Sequence, residues 1–324
     1  MLIGAAVNVH YLSEPAYTRT LAREFNMVEP EDAMKWATLR PCENCFDFTD
    51  ADRIVNFARL HGMRVRGHNL LWHSYNPDWL MQGHFTPKQL SHLLQDHISH
   101  VVGYYRGKVF AWDVVNEAFD ENGKLHNSIW YNQPGISPPA ESQNTFFIEQ
   151  AFRWTHAADP QALLFYNDAE AEEINPHSDA IYALALDFKT RGVPLDGIGL
   201  QMHLLHGAPD YDSIAKNIKR FTNLGLQVHI TELDVALPVD AVGRVLHVND
   251  LQWQADVYSH IAEICLANPG CTALQTWGVT DKYSWVGWAT HHTKGAALLF
   301  DRNYQPKPAY EAIKSALLRP AYRH

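Results

Sequence analysis

The sequence predicts a single closed (β/α)8 barrel (TIM barrel) over residues 1–324, with no accessory module. Three observations carry that prediction. Short apolar runs alternate eight times with amphipathic stretches. No low-complexity linker or charge block marks a domain boundary. Eight such units usually occupy about 250 residues, and loops can absorb the remainder. Strand–helix alternation implies parallel strands, because right-handed helical crossovers are what join them. An open doubly wound sheet would show a Gly-rich phosphate turn after its first strand, and the segment GAAVNVH at 4–10 is not one.

In chain order the predicted strands are 2–7, 25–29, 63–69, 109–116, 163–167, 197–201, 226–232 and 273–277. The helical patterns are 17–24, 51–61, 87–105, 143–158, 178–191, 211–223, 251–267 and 308–318. Thr86 and Pro87 form an N-cap with a proline at the first helical position, and Gly62 and Gly192 sit where helix-ending glycines belong. The surplus length falls in loops, above all 120–142, which holds Pro134, Gly135, Pro138 and Pro139.

Composition bounds the function. The 324 residues include 36 acidic against 26 basic, a formal charge of −10. With 46% hydrophobic and 19% charged residues the chain reads as globular and not as a disordered polyelectrolyte. The absence of a basic block argues against nucleic acid. No apolar run approaches the ~18 residues of a membrane helix, so no membrane partner is expected. Ten Trp, fourteen Tyr and nineteen His stand out. Such aromatics can simply fill a core, and they can equally build a sugar-stacking surface.

The four cysteines fall in two close pairs, Cys42 with Cys45 and Cys265 with Cys271. Their spacing is not that of a zinc site, and RPCENCFDF is not the strand–helix junction of a redox centre. Two local disulfides in an oxidising compartment fit, with reduced structural thiols as the alternative. Residues 2–7 are too short for the apolar core of a signal peptide and lack a basic flank, so the chain reads as a mature or trimmed form.

Barrel chemistry collects where strands end and βα loops begin. The strand ends supply Glu29 with Glu31, Asp32 and Lys35 beyond it, then His68 and Asn69 followed by Trp72 and His73. Further along come Asn116 and Glu117, Asn167 and Asp168, Gln201 and His203, Glu232 and Asp234, and Trp277. Glu117 closes WDVVNE and Glu232 closes HITELD, both strongly apolar strands. A carboxylate there must be paired or protonated, so neither is an inexpensive surface choice. One such Glu can be an ordinary strand-end charge reaching water. Two, on strands four and seven across the mouth, point to paired-carboxylate chemistry such as glycoside hydrolysis. One group must attack as the carboxylate while the other donates a proton, and spacing in sequence does not choose between retention and inversion.

Six stretches carry a resemblance. They are MKW (34–36), RGHNLLWHS (66–74), WDVVNEAF (112–119), DGIGLQMH (196–203), ITELD (230–234) and TWGVTDKYSW (276–285). Through them the chain resembles glycoside hydrolase family 10, the endo-1,4-β-xylanases, over nearly its whole length. The resemblance implies retaining hydrolysis of main-chain xylan, with Glu117 as acid/base and Glu232 as nucleophile. It implies that Asn116 bonds the sugar 2-hydroxyl and that His203 orients the nucleophile while paired with Asp234. Period two along a strand is consistent with that, since it puts Glu232 and Asp234 on one face. Glu31, Lys35, His68 and Gln201 match positions that bind sugars on the non-reducing side, and Trp72, Trp277 and Trp285 match cleft walls. Cys265 and Cys271 match a disulfide of secreted members, whereas Cys42 and Cys45 lie outside the usual pattern and are read as a small local bridge. The implied partners are xylan and xylo-oligosaccharides, with no cofactor, and the protein is expected to be a secreted monomer.

The sequence also departs from the family. Asp32 stands where Asn is usual and Tyr75 where Gln is usual, both beside the second sugar on the non-reducing side. An acid in place of an amide removes two donors and adds charge, and a phenol can stack or hydrogen-bond. Strand five runs into NDAEAEE without the usual aromatic, which alters the reducing-side cleft. The histidines suggest a metal, yet no H-E-x-x-H occurs and neither the helical trio His92, His97 and His100 nor the adjacent His291 and His292 converge on one ion. Two rivals remain: a related barrel glycosidase acting on another β-glycan, and a non-catalytic polysaccharide-binding barrel.

Overall fold

In a computed structural model, which describes residues 1–136 and 144–319, eight parallel strands close into a barrel with helices between them. The strands are β1 (Leu2–Val7), β2 (Met27–Pro30), β3 (Arg64–Trp72), β4 (Ala111–Asn116), β5 (Leu163–Asp168), β6 (Gly197–Leu200), β7 (Gln227–Val235) and β8 (Cys271–Thr276). Each pairs with its successor in sequence, and β8 returns to β1 with Leu2 opposite Ala273. The crossover helices are α1 (Pro15–Glu24), α2 (Thr49–Leu60), α3 (Pro87–Tyr104), α4 (Phe146–Ala158), α5 (Pro176–Arg191), α6 (Tyr211–Asn223) and α7 (Val248–Leu266). The eighth, α8 (Pro308–Leu318), packs against α7.

All eight predicted strands and helices exist, and their ends shift for local reasons. Pro15 and Pro176 take first-turn positions, so α1 and α5 begin before their apolar periodicity does. Phe25, predicted to open strand two, instead closes α1, its N–H bonding the Leu21 carbonyl at 3.2 Å. α3 starts at a full capping box of Thr86 and Gln89. Gly192 ends α5 in the left-handed region (φ 65°), as its position suggested. β3 and β7 run three residues past the expected ends, to Trp72 and Val235, and so carry their side chains up to the mouth. Of the long loop after β4, residues 137–143 lie outside the described residues. The described part buries Trp130, whose Nε1 donates to the Trp72 carbonyl at 2.9 Å and so props the cleft from behind.

The hydrophobic core lies between the outward faces of the strands and the surrounding helices, and leaves the barrel interior largely to polar side chains. Trp112 of β4 is fully buried, and a Cβ on Gly67 of β3 would collide with its ring, which is why glycine stands there. The sulfurs of Cys42 and Cys45 are at bonding distance in the turn ahead of α2, with Cα atoms 5.2 Å apart. Those of Cys265 and Cys271 join the end of α7 to the start of β8, with Cα atoms 5.1 Å apart. No helix among the described residues is long and apolar enough to cross a membrane.

Candidate active site

Polar side chains are packed in two tiers inside the barrel. The lower tier is sealed. Arg66 on β3 is fully buried, with Nε 3.0 Å from Glu29 Oε2 and 3.2 Å from Asp113 Oδ2, and a second bond from Nη2 to Asp113 Oδ1. Its Nη1 donates to His229 Nδ1 at 2.7 Å. Burial, then the Arg66 charge, holds His229 well below the usual histidine range, so it serves as a neutral acceptor. Glu29, expected at the mouth with the other strand-end acids, belongs to this floor instead. Its strand is short, and the side chain turns inward where a guanidinium compensates it. Glu29, His68 and Asp113 present donor atoms close enough to one another to hold a metal ion, but the cation among them is already Arg66.

Above this floor opens a hollow of about 420 Å³ lined by Lys35, His68, Trp72, Asn116, Glu117, Gln201, His203, Glu232, Trp277 and Trp285. Ten of the residues singled out by sequence therefore converge. Asp234 stands just behind them as a partner of His203. Glu31 does not line the hollow. It accepts a hydrogen bond from Asn8 Nδ2 at 3.2 Å, and burial raises it to about 7 against the opposing effect of that bond.

Glu232 is the clamped carboxylate. Its Oε2 lies 3.0 Å from His203 Nε2 and its Oε1 accepts from Asn167 Nδ2 at 2.9 Å. His203 Nδ1 lies 2.9 Å from Asp234 Oδ2, which also accepts from Trp285 Nε1 at 2.6 Å. Burial alone would lower the pKa of His203, but the hydrogen bonds and charges of Asp234 and Glu232 prevail and raise it to about 10. The ring is therefore an imidazolium at neutral pH. Burial works to raise Glu232 too, and the bond and charge of His203, helped by His68 and Asn167, outweigh it and hold Glu232 below its ordinary value. That carboxylate is ionised and buried at the edge of the hollow, as a nucleophile requires.

Glu117 is held differently. Its Oε2 accepts from Trp72 Nε1 at 2.9 Å and its Oε1 from Gln201 Nε2 at 2.8 Å. Both are neutral donors, and no cation touches the carboxyl among the described residues. The residue sits in the left-handed backbone region (φ 49°), which β4 alone would not select. Three contacts fix it there. Its N–H bonds the Asn167 carbonyl at 2.9 Å, its carbonyl accepts from His73 Nδ1 at 2.9 Å, and the next N–H, of Ala118, bonds Tyr166 Oη at 3.0 Å. Asn116 accepts from Asn167 Nδ2 at 2.8 Å and from Gln201 Nε2 at 3.4 Å. Its own amide N–H groups meet no acceptor among the described residues, so they are available to a ligand hydroxyl.

On the opposite wall Lys35 Nζ sits over three rings, 4.8 Å from the centre of Tyr75, 5.2 Å from Trp72 and 5.9 Å from Trp277, and 3.1 Å from Asp32 Oδ1. The two departures at Asp32 and Tyr75 thus act on the same ammonium group. His68 donates from Nδ1 to Asp113 Oδ2 at 3.0 Å, which leaves Nε2 toward the hollow and Asn69.

Several wall residues were not singled out from sequence. Glu170 and Glu172, in the altered stretch after β5, line the hollow, and Glu172 Oε1 accepts from the Met202 N–H at 2.7 Å. Leu205 and His206 complete that side. The missing aromatic in NDAEAEE was the available signal for the acids. Nothing in the local pattern marked Leu205 or His206.

The sequence profile of Glycosyl hydrolase family 10 matches residues 1–316. The chain is 42% identical to endo-1,4-beta-xylanase B of Thermotoga neapolitana, over 97% of this chain and 88% of that protein. It is 39% identical to a beta-1,4-xylanase of Dictyoglomus thermophilum, over 96% and 87% respectively. Among solved structures it superposes on native xylanase 10B from Thermotoga maritima with a TM-score of 0.90 at 42% identity, covering 98% of this chain and 94% of that one. It matches xylanase 10B from Thermotoga petrophila in complex with xylobiose with the same TM-score, identity and coverage.

Proposed function

The chain belongs to glycosyl hydrolase family 10, and from that premise we propose that it is a retaining endo-1,4-β-xylanase, acting as a secreted single-domain monomer on xylan and xylo-oligosaccharides. Glu232 attacks the anomeric carbon while the bond from that carbon to the leaving sugar oxygen breaks, and Glu117 gives that oxygen its proton. A water then attacks the same carbon, Glu117 takes a proton from it, and Glu232 leaves as a carboxylate. Asn116, with its free amide N–H groups, donates to the 2-hydroxyl of the sugar under attack. Lys35, His68 and Gln201 hold the non-reducing-side sugars, with Glu31 behind them.

The observation that carries this reading is the unequal treatment of the two carboxyl groups. Glu232 is paired with an imidazolium and kept ionised, whereas Glu117 meets neutral donors and, among the described residues, no cation. The test is Glu232→Ala with added azide. Turnover should fall by orders of magnitude, and azide should restore a glycosyl azide of inverted configuration. Rescue without that product would reject Glu232 as the nucleophile. Parallel assays on xylan and carboxymethyl cellulose fix the polymer, and preference for the cellulose derivative would overturn the xylan assignment.

A further inference from the structure

Next to the catalytic cleft lies a second hollow, of about 410 Å³, which the hydrolytic chemistry does not use. It forms where residues 239–243, after β7, face residues 281–302, after β8. Lys294 joins the two hollows. It lines the second, and its Nζ donates to the Leu205 carbonyl and reaches His206 Nδ1 at 3.5 Å, both in the wall of the first.

The acids around this hollow are already engaged. Asp240 accepts from the N–H groups of Val242 and Arg244 and from Arg244 Nε at 3.2 Å. Asp281 is paired with Lys307 at 2.9 Å. Lys282 is likewise paired, with Glu14 at 2.9 Å. Beside His292, Arg302 and Trp288 are left over. Arg302 is exposed and has no carboxylate partner among the described residues. A Cβ on Gly243 would lie 3.2 Å from Arg302 Nη1, so the glycine leaves the guanidinium its place. Trp288 is 79% exposed, and its ring packs on no other ring among the described residues.

We propose that this hollow is a second carbohydrate site, selective for a uronic-acid sugar. The Trp288 face stacks on the apolar face of the sugar ring, and the Arg302 fork pairs with its carboxylate. A bare anion such as phosphate would make no use of the indole, and a neutral sugar would make no use of the guanidinium. On a chain of formal charge −10, an unpaired cation is the local feature that admits an acidic sugar. The proposal rests on the xylan reading only for the polymer that carries the uronate.

The test is affinity electrophoresis in native gels containing glucuronoxylan or neutral linear xylan, in the Glu232→Ala background so that the polymer stays intact. Binding in the catalytic cleft is common to all variants and cancels. Arg302→Ala should weaken retardation by glucuronoxylan about threefold, the size of an exposed charge pair, with no effect in neutral xylan. Trp288→Ala should weaken it in both gels, and high salt should abolish only the Arg302 effect. Unchanged retardation by glucuronoxylan in both variants would overturn the proposal, as would an Arg302→Ala loss of equal size in neutral xylan. With Glu232 restored, both variants should hydrolyse xylo-oligosaccharides at the wild-type rate, which reports an intact fold. If the wild type cleaves no xylan while the binding differences persist, the activity assignment fails and the second site stands.

Discussion

Replacing His203 by Asn removes the one cation that touches Glu232 among the described residues and keeps a polar side chain in its place. The imidazolium lies 3.0 Å from Glu232 Oε2 and 2.9 Å from Asp234 Oδ2. At an effective dielectric constant of about 20, opposite charges centred about 4 Å apart attract by about 4 kcal/mol. Asp234, across the ring and roughly 8 Å from Glu232, repels it by about 2 kcal/mol at the same dielectric constant. Burial pushes the Asp234 carboxyl up even beside the cation, and losing the cation pushes it further, so this repulsion relaxes as the attraction is lost. The net loss for ionised Glu232 is about 2 kcal/mol, or about 1.5 pK units. Because Glu232 must be deprotonated to attack, the acid limb of the kcat/KM profile should move up by about that amount. The assay is kcat/KM on an aryl β-xylobioside across the acid and neutral range, since an activated leaving group removes the demand on Glu117. An acid limb that stays in place, or moves down, would refute the account of how Glu232 is kept ionised.

Three further outcomes are expected. Glu117→Gln should slow xylan cleavage by about 10²–10⁴ and activated aryl xylobiosides far less at the glycosylation step, because only the first needs a proton; equal losses on both would remove the acid role. His97 is fully buried against Trp36, ring centres 3.8 Å apart, and burial, then the charges of Arg40 and His100, holds it well below its usual pKa. Since the unfolded chain binds that proton more readily, stability is lost as pH falls below about 6.5, by about 2 kcal/mol at pH 5. Urea unfolding should show wild type losing that much more than His97→Phe between pH 7.5 and pH 5, and parallel losses would contradict it. Asp32→Asn should free Lys35 for sugar and raise kcat/KM on xylobiosides up to about fivefold, the ceiling for a half-exposed ion pair; a fall would mean that the charge of Asp32 itself aids binding.

The barrel was legible because each strand is a short apolar run and each helix an amphipathic one, a pattern that depends only on neighbours in sequence. Glu117 and Glu232 were legible because each closes an apolar strand, where a charge is expensive. The floor was not. Arg66, Asp113 and His229 lie within strands and not at their ends, and their meaning lies in bonds between β3, β4 and β7 that sequence order does not display. Glu29 was misplaced at the mouth for the same reason. The role of Asn167 also emerges only in three dimensions, where one amide bonds both Asn116 and Glu232. Boundaries moved where proline and extended strand geometry overrode hydrophobic period, as at Pro15 and Trp72.

Closure of the barrel by β1 and β8 sets a clock for the growing chain. Leu2 waits for Ala273, so at about 5–20 residues per second the ribosome takes roughly ten to fifty seconds to supply the partner of the first strand. Through that interval one edge of the apolar segment LIGAAV has no native neighbour, the kind of edge on which chains stick to one another. The first six-residue strand is thus exposed on one edge for nearly the whole of synthesis, long before the last catalytic wall, at Trp277 and Trp285, is made.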